Sequence, residues 1–456
     1  MTERAKAYPR KRFFIDMFTR DISLIDCTLD LIDNAIDGLI RTRTIDLGKD
    51  LLEEQPSSSE EKKKQLPKII INFTKKQFSI TDNCGGITYE EALNEVFNFG
   101  YPYEFKPEDA GGQLGVYGIG LKRAIFKIGN YFEMISRTTS GGFRVEVEDL
   151  TEWVKKDESL NDWTFPIAKE KKADSEKTAG TSLVIKDLRN EILEIIDGDQ
   201  LFNQLQRDIA KTYALFLERY VRIVVNGNTI SPTQIPIGKS NDVTPAHKVF
   251  KEDGVDVTLI ASLAARDAKE RWTIDQAGWY IACNGRLVVI ADRTYLTGWG
   301  AGALPSFHSK YRGFVGLALF QSKDPLKLPW KTTKKGLNEE NIVYQRIRNH
   351  MRAISRPVLS FLDKMYPSDP KEELYEREIA DEVTSVDIRT VSRSDLTGFV
   401  VPPKPHRELK TTVKVQFNAK IEHLEKIKKH LRRPSMSAGQ IGQFTLEKYL
   451  GTEGLL

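Results

Sequence analysis

Three short motifs rich in acidic, amide and glycine residues follow one another in the first third of this 456-residue chain. Asp30–Asp37 carries acidic and amide side chains, Thr81–Ile87 places a carboxylate before two glycines, and Gly115–Lys122 is a glycine cluster that ends near a lysine. Each motif alone is weak evidence, because short glycine-rich strings and acidic helix faces recur by chance. Their order along the chain is the informative feature.

The first motif is predicted to lie on a helix that spans about residues 22–39. Apolar residues recur there at helical spacing, which buries one face. Asp30, Asn34 and Asp37 are four and three residues apart, so they project from a neighbouring strip into one site. An amide oxygen is a suitable ligand for Mg²⁺, whose other ligands are waters and nucleotide phosphates. We therefore predict Asn34 as the magnesium ligand.

The second motif follows two runs, 68–73 and 77–81, that are rich in β-branched and aromatic residues and read as a strand pair. Asp82 then lies in the turn at a strand end, where its carboxylate can accept a hydrogen bond from a ligand. Gly86 lets the backbone approach that ligand closely.

The third motif leads into a predicted helix that starts near Leu121. Backbone amides at a glycine-rich helix N-terminus bind phosphate. A P-loop would end in Gly-Lys-Ser/Thr and a dinucleotide fold would be preceded by a βαβ unit, and neither pattern is present. The segment from about Tyr101 to Gly115 is polar and glycine-bearing.

In this order the motifs resemble the GHKL ATPases, which include DNA gyrase B subunits, heat-shock chaperones of the ninety-kilodalton class, histidine kinases, MutL and MORC proteins; the layout is most similar to MORC- or MutL-like proteins. The resemblance implies an α+β protein with a Bergerat-type two-layer α/β sandwich, ATP and Mg²⁺ as cofactors, and a lid at about 96–120. It implies the following ATP-binding residues: Asn34, Asp37, Asp82, Gly86, Ile87, Gly115, Gly118, Gly120, Lys122 and Thr181.

The resemblance also implies that Asp30 is the general base, at a position where most hydrolysing members carry Glu. Aspartate is shorter by one carbon–carbon bond, roughly 1.5 Å, and a base must reach its water directly or through one more water. We therefore expect slow hydrolysis. A second departure is Cys84, which replaces a glycine of the usual pattern.

Composition shifts at about residues 228, 366 and 410 divide the chain into four parts. The resemblance implies that the first is an ATP-binding domain (1–228) and the second a transducer-like α/β domain (229–366); a linker (367–410) and a strand-helix-helix module (411–456) follow. Asn284-Gly285-Arg286 resembles a strand turn of GHKL transducer domains, which send one cationic side chain to the ATP γ-phosphate. We predict Lys334 for that role, with Lys331 and Lys335 as competitors.

The last segment resembles a ribbon-helix-helix module, a small unit that buries too little core to be stable alone. In that family paired strands enter the DNA major groove, so Lys414, Gln416 and Asn418 are candidate DNA-binding residues. A dimerisation or partner-docking element is an equally weighted alternative.

The net charge of +4 gives no general electrostatic attraction to nucleic acid. No apolar run reaches the ~20 residues that span a membrane, and no signal peptide is evident, so we expect a cytoplasmic protein without a membrane partner. Three scattered cysteines and six histidines indicate no disulfide framework and no metal site.

Together these features predict an ATP-driven homodimeric switch or clamp, joined through ATP at its N-terminal part and constitutively at its C-terminal part, that acts on nucleic acid. A chaperone-like protein clamp and a non-hydrolysing, nucleotide-gated regulator of an effector protein are the alternatives.

Overall fold

The computed structural model describes residues 9–42, 44–46, 51, 60–100, 111–157, 159–266, 271–300, 302, 304–365, 375–386, 391, 398–402, 415–416 and 418–455. The chain divides into two compact units, Met1–Pro402 and Pro403–Leu456. No helix of this described part is long and apolar enough to cross a bilayer.

Helices occur in both units. They are α1 (Lys11–Thr19), α2 (Leu24–Arg41), α3 (Glu60–Gln65), α4 (Tyr89–Glu91, continued by a π-helical turn at Ala92–Val96), α5 (Gly120–Ile128), α6 (Leu150–Lys155), α7 (Asn190–Ile196), α8 (Asp199–Thr212), α9 (Ile342–Lys364), α10 (Tyr375–Asp381), α11 (Ile421–Leu431) and α12 (Ala438–Thr452).

Strands belong to the first unit as far as the chain is described. They are β1 (Lys68–Phe73), β2 (Gln77–Asp82), β3 (Gly129–Arg137), β4 (Gly142–Val147), β5 (Ile167–Glu170), β6 (Gly180–Leu188), β7 (Arg222–Val225), β8 (Asn228–Thr229), β9 (Gly238–Lys239), β10 (Ala246–Glu252), β11 (Val255–Leu263), β12 (Gly278–Cys283), β13 (Arg286–Asp292), β14 (Phe314–Gln321) and β15 (Thr384–Ser385).

Two mixed sheets form the framework of the first unit. The larger has the order β5-β4-β3-β6-β2-β1-β7-β8, in which β1 and β7 are parallel and the other neighbours antiparallel. The smaller has the order β10-β11-β14-β12-β13, with β12 and β14 parallel. The predicted α+β class is confirmed.

Helix α2 forms where the sequence predicts it, two residues later at each end. Its start is fixed by a capping box, because Ser23 Oγ accepts a hydrogen bond from the Asp26 N–H (3.1 Å) and the Asp26 carboxylate accepts one from Ser23. Its apolar stripe is buried, with Ile32 and Ile36 fully inaccessible. The polar strip beside that stripe is therefore held rigidly.

The described residues between 375 and 402 differ from the linker predicted for 367–410, because they include regular secondary structure. Helix α10 forms there, and β15 pairs antiparallel with β9. Ile379, Ala380 and Val383 are buried. Composition suggested a linker because acids and prolines dominate the segment, but these apolar side chains suffice to dock it on the first unit.

The second unit contains a helix pair as predicted, and Ser437 caps α12 with its side chain. Among its described residues only Ile441 is buried. Most of the predicted strand, including Lys414, lies outside the described residues. Gln416 and Asn418 are exposed and belong to no strand.

Candidate nucleotide-binding site

A pocket opens between α2, the loop that precedes α5, and the end of β2. It is lined by the residues that the motifs predict: Asp30, Asn34, Asp37, Asp82, Gly86, Ile87, Gly115, Gly118, Gly120, Lys122, Thr181 and Lys334. The structure thus brings together Asp30 and Lys334, which lie more than three hundred residues apart along the chain.

Asp82 forms one end of the pocket. Its carboxylate accepts hydrogen bonds from the backbone N–H groups of Cys84 (2.8 Å) and Thr181. The Thr181 hydroxyl is 2.8 Å from Ser136 Oγ, which also accepts the Ile87 N–H at 2.8 Å. Burial raises the pKa of Asp82 to about 6, although both backbone hydrogen bonds oppose the shift. A carboxylate so placed can accept one more hydrogen bond from a ligand.

Gly86 permits this end of the pocket to close tightly. It has a φ of +68°, and an added Cβ would lie 2.1 Å from the Arg137 carbonyl oxygen. Only glycine combines a positive φ with the absence of a Cβ that would clash with this carbonyl oxygen. Arg41, which the sequence did not single out, donates to the Gly86 carbonyl and also lines the pocket. Cys84 is buried and its pKa lies well above the usual value because of burial, so it is no reactive thiol.

Asn34 and Asp37 differ in what they offer to a ligand. Asn34 is exposed within α2, and its side chain makes no hydrogen bond to any residue in the described ranges. Asp37 is buried, and its carboxylate accepts the N–H groups of Leu114 (2.5 Å) and Gly115 (2.7 Å). Burial raises the pKa of Asp37 to about 6. Asp37 thus anchors the glycine loop, while the Asn34 amide is available.

These side chains fit a magnesium ion bound with a nucleotide. The described ranges contain no group of three or more His, Cys, Asp or Glu side chains that could enclose a metal. Mg²⁺ takes one or two protein oxygens and completes its shell with water and phosphate. The Asn34 amide oxygen, free and facing the pocket, is a donor of that kind.

Asp30 lies against the N-terminus of α5. A Cβ added at Gly120 would be 3.0 Å from Asp30 Cβ and 3.3 Å from its Oδ2. Burial raises the pKa of Asp30, and the Lys334 ammonium, 3.9 Å from Oδ1, opposes that shift. The unpaired amides that begin a helix attract anions. The base candidate and a phosphate-binding element therefore share one end of the pocket.

Lys122 is buried at the third position of α5. Its ammonium donates to the Val96 carbonyl (2.8 Å) at the end of the π-helical turn and lies 5.8 Å from the Phe99 ring centroid. Burial lowers the pKa of Lys122 to about 7. In this structure Lys122 lines the pocket while tying α5 to the turn that follows α4.

Lys334 reaches the pocket from the loop between β14 and α9. Its ammonium donates to Asp33 Oδ2 at 2.7 Å, and only 7% of its side chain is exposed. Of the two competing lysines, Lys335 pairs with Asp26 at 2.5 Å and is largely exposed, and Lys331 is exposed. Among these three lysines, Lys334 is the one that lines the pocket.

Asp33, Arg286 and Tyr213 form a buried polar cluster that sequence reasoning missed. Asp33 Oδ1 accepts hydrogen bonds from Arg286 Nε (3.0 Å) and the Tyr213 hydroxyl (2.7 Å). Burial alone would raise the pKa of Asp33, but Arg286 and Lys334 outweigh it and lower that pKa below its usual range. The sequence offers two signals for this cluster: an acid beside the isoleucines of α2, and an arginine that directly follows an Asn-Gly turn.

The Asn284–Gly285 turn aims Arg286 at α2. Both turn residues have positive φ, +47° and +85°, and Cys283 pairs with Arg286, which is the geometry of a two-residue type I′ hairpin. A Cβ at Gly285 would lie 2.6 Å from the Phe216 ring. The hairpin thus packs closely on the layer that carries the pocket.

Residues 22–181 match the family described as histidine kinase-, DNA gyrase B-, and HSP90-like ATPases. The chain matches no curated protein. The matched segment includes the three motifs and ends at Thr181, whereas Lys334 lies beyond it. Residues 22–181 therefore form an ATP-binding domain of the GHKL ATPase family.

Proposed function

We propose that this protein is a magnesium-dependent ATPase that works as a dimeric switch. The observation that carries the proposal is the meeting of Asp30 on α2 with Lys334 from a loop more than three hundred residues away, 3.9 Å apart at the phosphate end of the pocket. A base beside a cation that can bind the γ-phosphate is the arrangement that hydrolysis requires.

Each end of the pocket has a separate task in this proposal. Asp82 accepts a hydrogen bond from the adenine amino group, and the backbone around Gly86 lies against the base. Asn34 and the phosphates hold Mg²⁺, which neutralises phosphate charge when it is bound. Asp30 takes a proton from the attacking water, and Lys334 stabilises the γ-phosphate. Because Asp30 is short, we expect turnover to be slow.

Phosphate release by the full-length protein tests the proposal directly. We expect hydrolysis to require Mg²⁺ and to be lost in Asp30→Ala and Asn34→Ala. Lys334→Gln and Lys335→Gln form a matched pair, since they remove the same charge from adjacent positions, one buried at the pocket and one exposed. The first should reduce turnover at least about tenfold, as loss of a transition-state contact does, and the second should leave it unchanged.

Two other results have defined meanings. Equal turnover in the two lysine variants would contradict the role of Lys334. Tight ATP binding without turnover in the wild-type protein would favour the alternative of a nucleotide-gated regulator that does not hydrolyse ATP and acts on an effector protein.

The proposed cargo is nucleic acid, and the proposed constitutive dimer contact is the second unit. Support for the cargo is the exposed basic end of α11, Lys429, Arg432 and Arg433. Support for the dimer contact is the small buried core of the helix pair. We expect duplex DNA to stimulate hydrolysis, with an effect that weakens steeply with salt and is reduced in Arg432→Gln/Arg433→Gln. Stimulation by unfolded protein instead would favour the chaperone-like clamp.

A further inference from the structure

Asp33 is a buried carboxylate beside the pocket that does not line it. Its side chain is fully inaccessible to solvent, and its two carboxylate oxygens accept hydrogen bonds from different partners. Oδ1 accepts from Arg286 Nε (3.0 Å) and from Tyr213 (2.7 Å), and Oδ2 accepts from Lys334 Nζ (2.7 Å). The nucleotide therefore has no access to Asp33, but it does have access to one of its partners.

The two cations on Asp33 are held differently. Arg286 is 4% exposed, and its Nη1 also donates to the Lys334 carbonyl oxygen at 2.9 Å, so its position is fixed by two acceptors. The Lys334 ammonium faces the pocket and lies between Asp33 Oδ2 and Asp30 Oδ1, at 2.7 and 3.9 Å. If Lys334 moves away, Asp33 keeps Arg286 and stays paired. The large energetic cost of leaving a buried carboxylate unpaired is thus avoided.

We propose that Asp33 is a positioning residue that holds Lys334 in the nucleotide-free protein, and that the γ-phosphate of ATP competes with Asp33 for this lysine. The inference rests on the proposed function of Lys334 as the γ-phosphate contact. ATP breaks the bond between Lys334 and Asp33 on α2, whereas ADP, which has no γ-phosphate, leaves it intact. The ion pair is therefore a device that distinguishes the two nucleotides and reports the difference to the loop between β14 and α9.

The competition predicts that removing an acid near the site strengthens ATP binding. Asp33→Asn keeps an oxygen that can accept from Arg286 and Tyr213 but removes the charge that holds Lys334. A hydrogen bond to a charged group is worth roughly 1 kcal/mol more than a neutral one, so we expect the ATP analogue to bind about fivefold tighter. ADP affinity should not change.

Tyr213→Phe also alters the interactions of Asp33, but it should change the affinity for the ATP analogue in the opposite direction. Without the Tyr213 hydroxyl, Asp33 loses a neutral donor and interacts more strongly with its cations. Lys334 then leaves less readily, so the ATP analogue should bind about twofold to fivefold more weakly, the effect of one neutral hydrogen bond or less. The aromatic ring remains, which keeps the packing of the cluster.

The experiment is calorimetric titration of the full-length protein and its variants with the magnesium complexes of adenylyl-imidodiphosphate and of ADP. Lys334→Gln and the double variant Asp33→Asn/Lys334→Gln complete a thermodynamic cycle. We expect Asp33→Asn to tighten binding of the analogue only where Lys334 is present. A merely structural role of Asp33 would change both nucleotides alike and would persist in the double variant.

The possible failures are distinguishable. If Lys334→Gln leaves the affinity for the analogue unchanged, the proposed function of Lys334 fails. If Lys334→Gln weakens that affinity but Asp33→Asn leaves it equal or lowers it, the competition alone is refuted. If Asp33→Asn does not fold, Tyr213→Phe decides: weaker binding of the analogue with normal ADP affinity supports the competition, and unchanged or tighter binding overturns it.

Discussion

Gly120→Ala should impair catalysis without weakening the fold. The new Cβ would lie 3.0, 3.2 and 3.3 Å from Cβ, Cγ and Oδ2 of Asp30. Favourable contacts between carbon atoms begin near 3.5 Å, so the Asp30 side chain must shift by about half an ångström. A displacement of roughly 1 Å can cost about a hundredfold in rate. We therefore expect the turnover number to fall about tenfold, which corresponds to ~1.4 kcal/mol.

Fold stability should respond differently to the same substitution. Gly120 starts α5 and has no positive φ. Alanine is favoured over glycine in helices and restricts the unfolded chain, which together are worth about 0.5–1 kcal/mol. This gain offsets the cost of the contact with Asp30, so the midpoint of thermal unfolding should stay close to that of the wild-type protein.

Phosphate release at saturating Mg-ATP, ADP affinity and thermal unfolding together check this prediction. Gly439→Ala is the matched control, because Gly439 lies in the first turn of α12 and an added Cβ there meets no atom within 4 Å. The control should keep wild-type turnover. Turnover within twofold of wild type in Gly120→Ala would refute the reasoning about Asp30. A loss of ADP affinity as large as the loss of turnover would mean that the methyl group obstructs the pocket instead.

Three further results are expected. Burial raises the pKa of Asp30, and a base must be ionised, so turnover should fall as the pH drops through that raised pKa. A pH–rate profile of Lys334→Gln, which lacks the opposing cation, should show this fall beginning at higher pH. Adenine nucleotide affinity, measured by titration, should rise as the pH increases through about 6 and Asp82 ionises, and Asp82→Asn should remove this dependence. Arg286→Gln should lower the free energy of unfolding in urea by about 1.5–3 kcal/mol, the value of a hydrogen bond to a charged group, because the buried Asp33 loses one cation and keeps Lys334.

The sequence predicts those parts of the site whose geometry is local. Asp30 and Asn34 are one helical turn apart, Asp82 ends a strand, and Gly120 begins a helix. Each of these positions follows from periodicity or turn chemistry over fewer than ten residues. The residues that the resemblance to the GHKL ATPases implies for the nucleotide site all line one pocket.

The parts that the sequence does not predict depend on tertiary contacts. Asp33 and Arg286 are separated by 253 positions, and no local pattern specifies which acid on α2 an arginine of β13 will meet. The resemblance implies that Lys122 binds the nucleotide, but its hydrogen bond to Val96 appears only when α5 packs beside the π-helical turn. Likewise, the docking of α10 depends on a surface that composition does not reveal.

The acids that line the pocket, together with Asp33 beside it, fall into two groups according to how they are stabilised. Asp37 and Asp82 are held by backbone N–H groups, which a ligand cannot displace. Asp30 and Asp33 depend on Lys334, a side chain from a distant loop that a phosphate can attract. A hydrogen bond between charged groups is worth about 1.5–3 kcal/mol, and couplings between distant sites are typically about 1–3 kcal/mol. The free energy involved when Lys334 leaves its carboxylates for a phosphate is therefore large enough to couple nucleotide binding to the loop that carries Lys334.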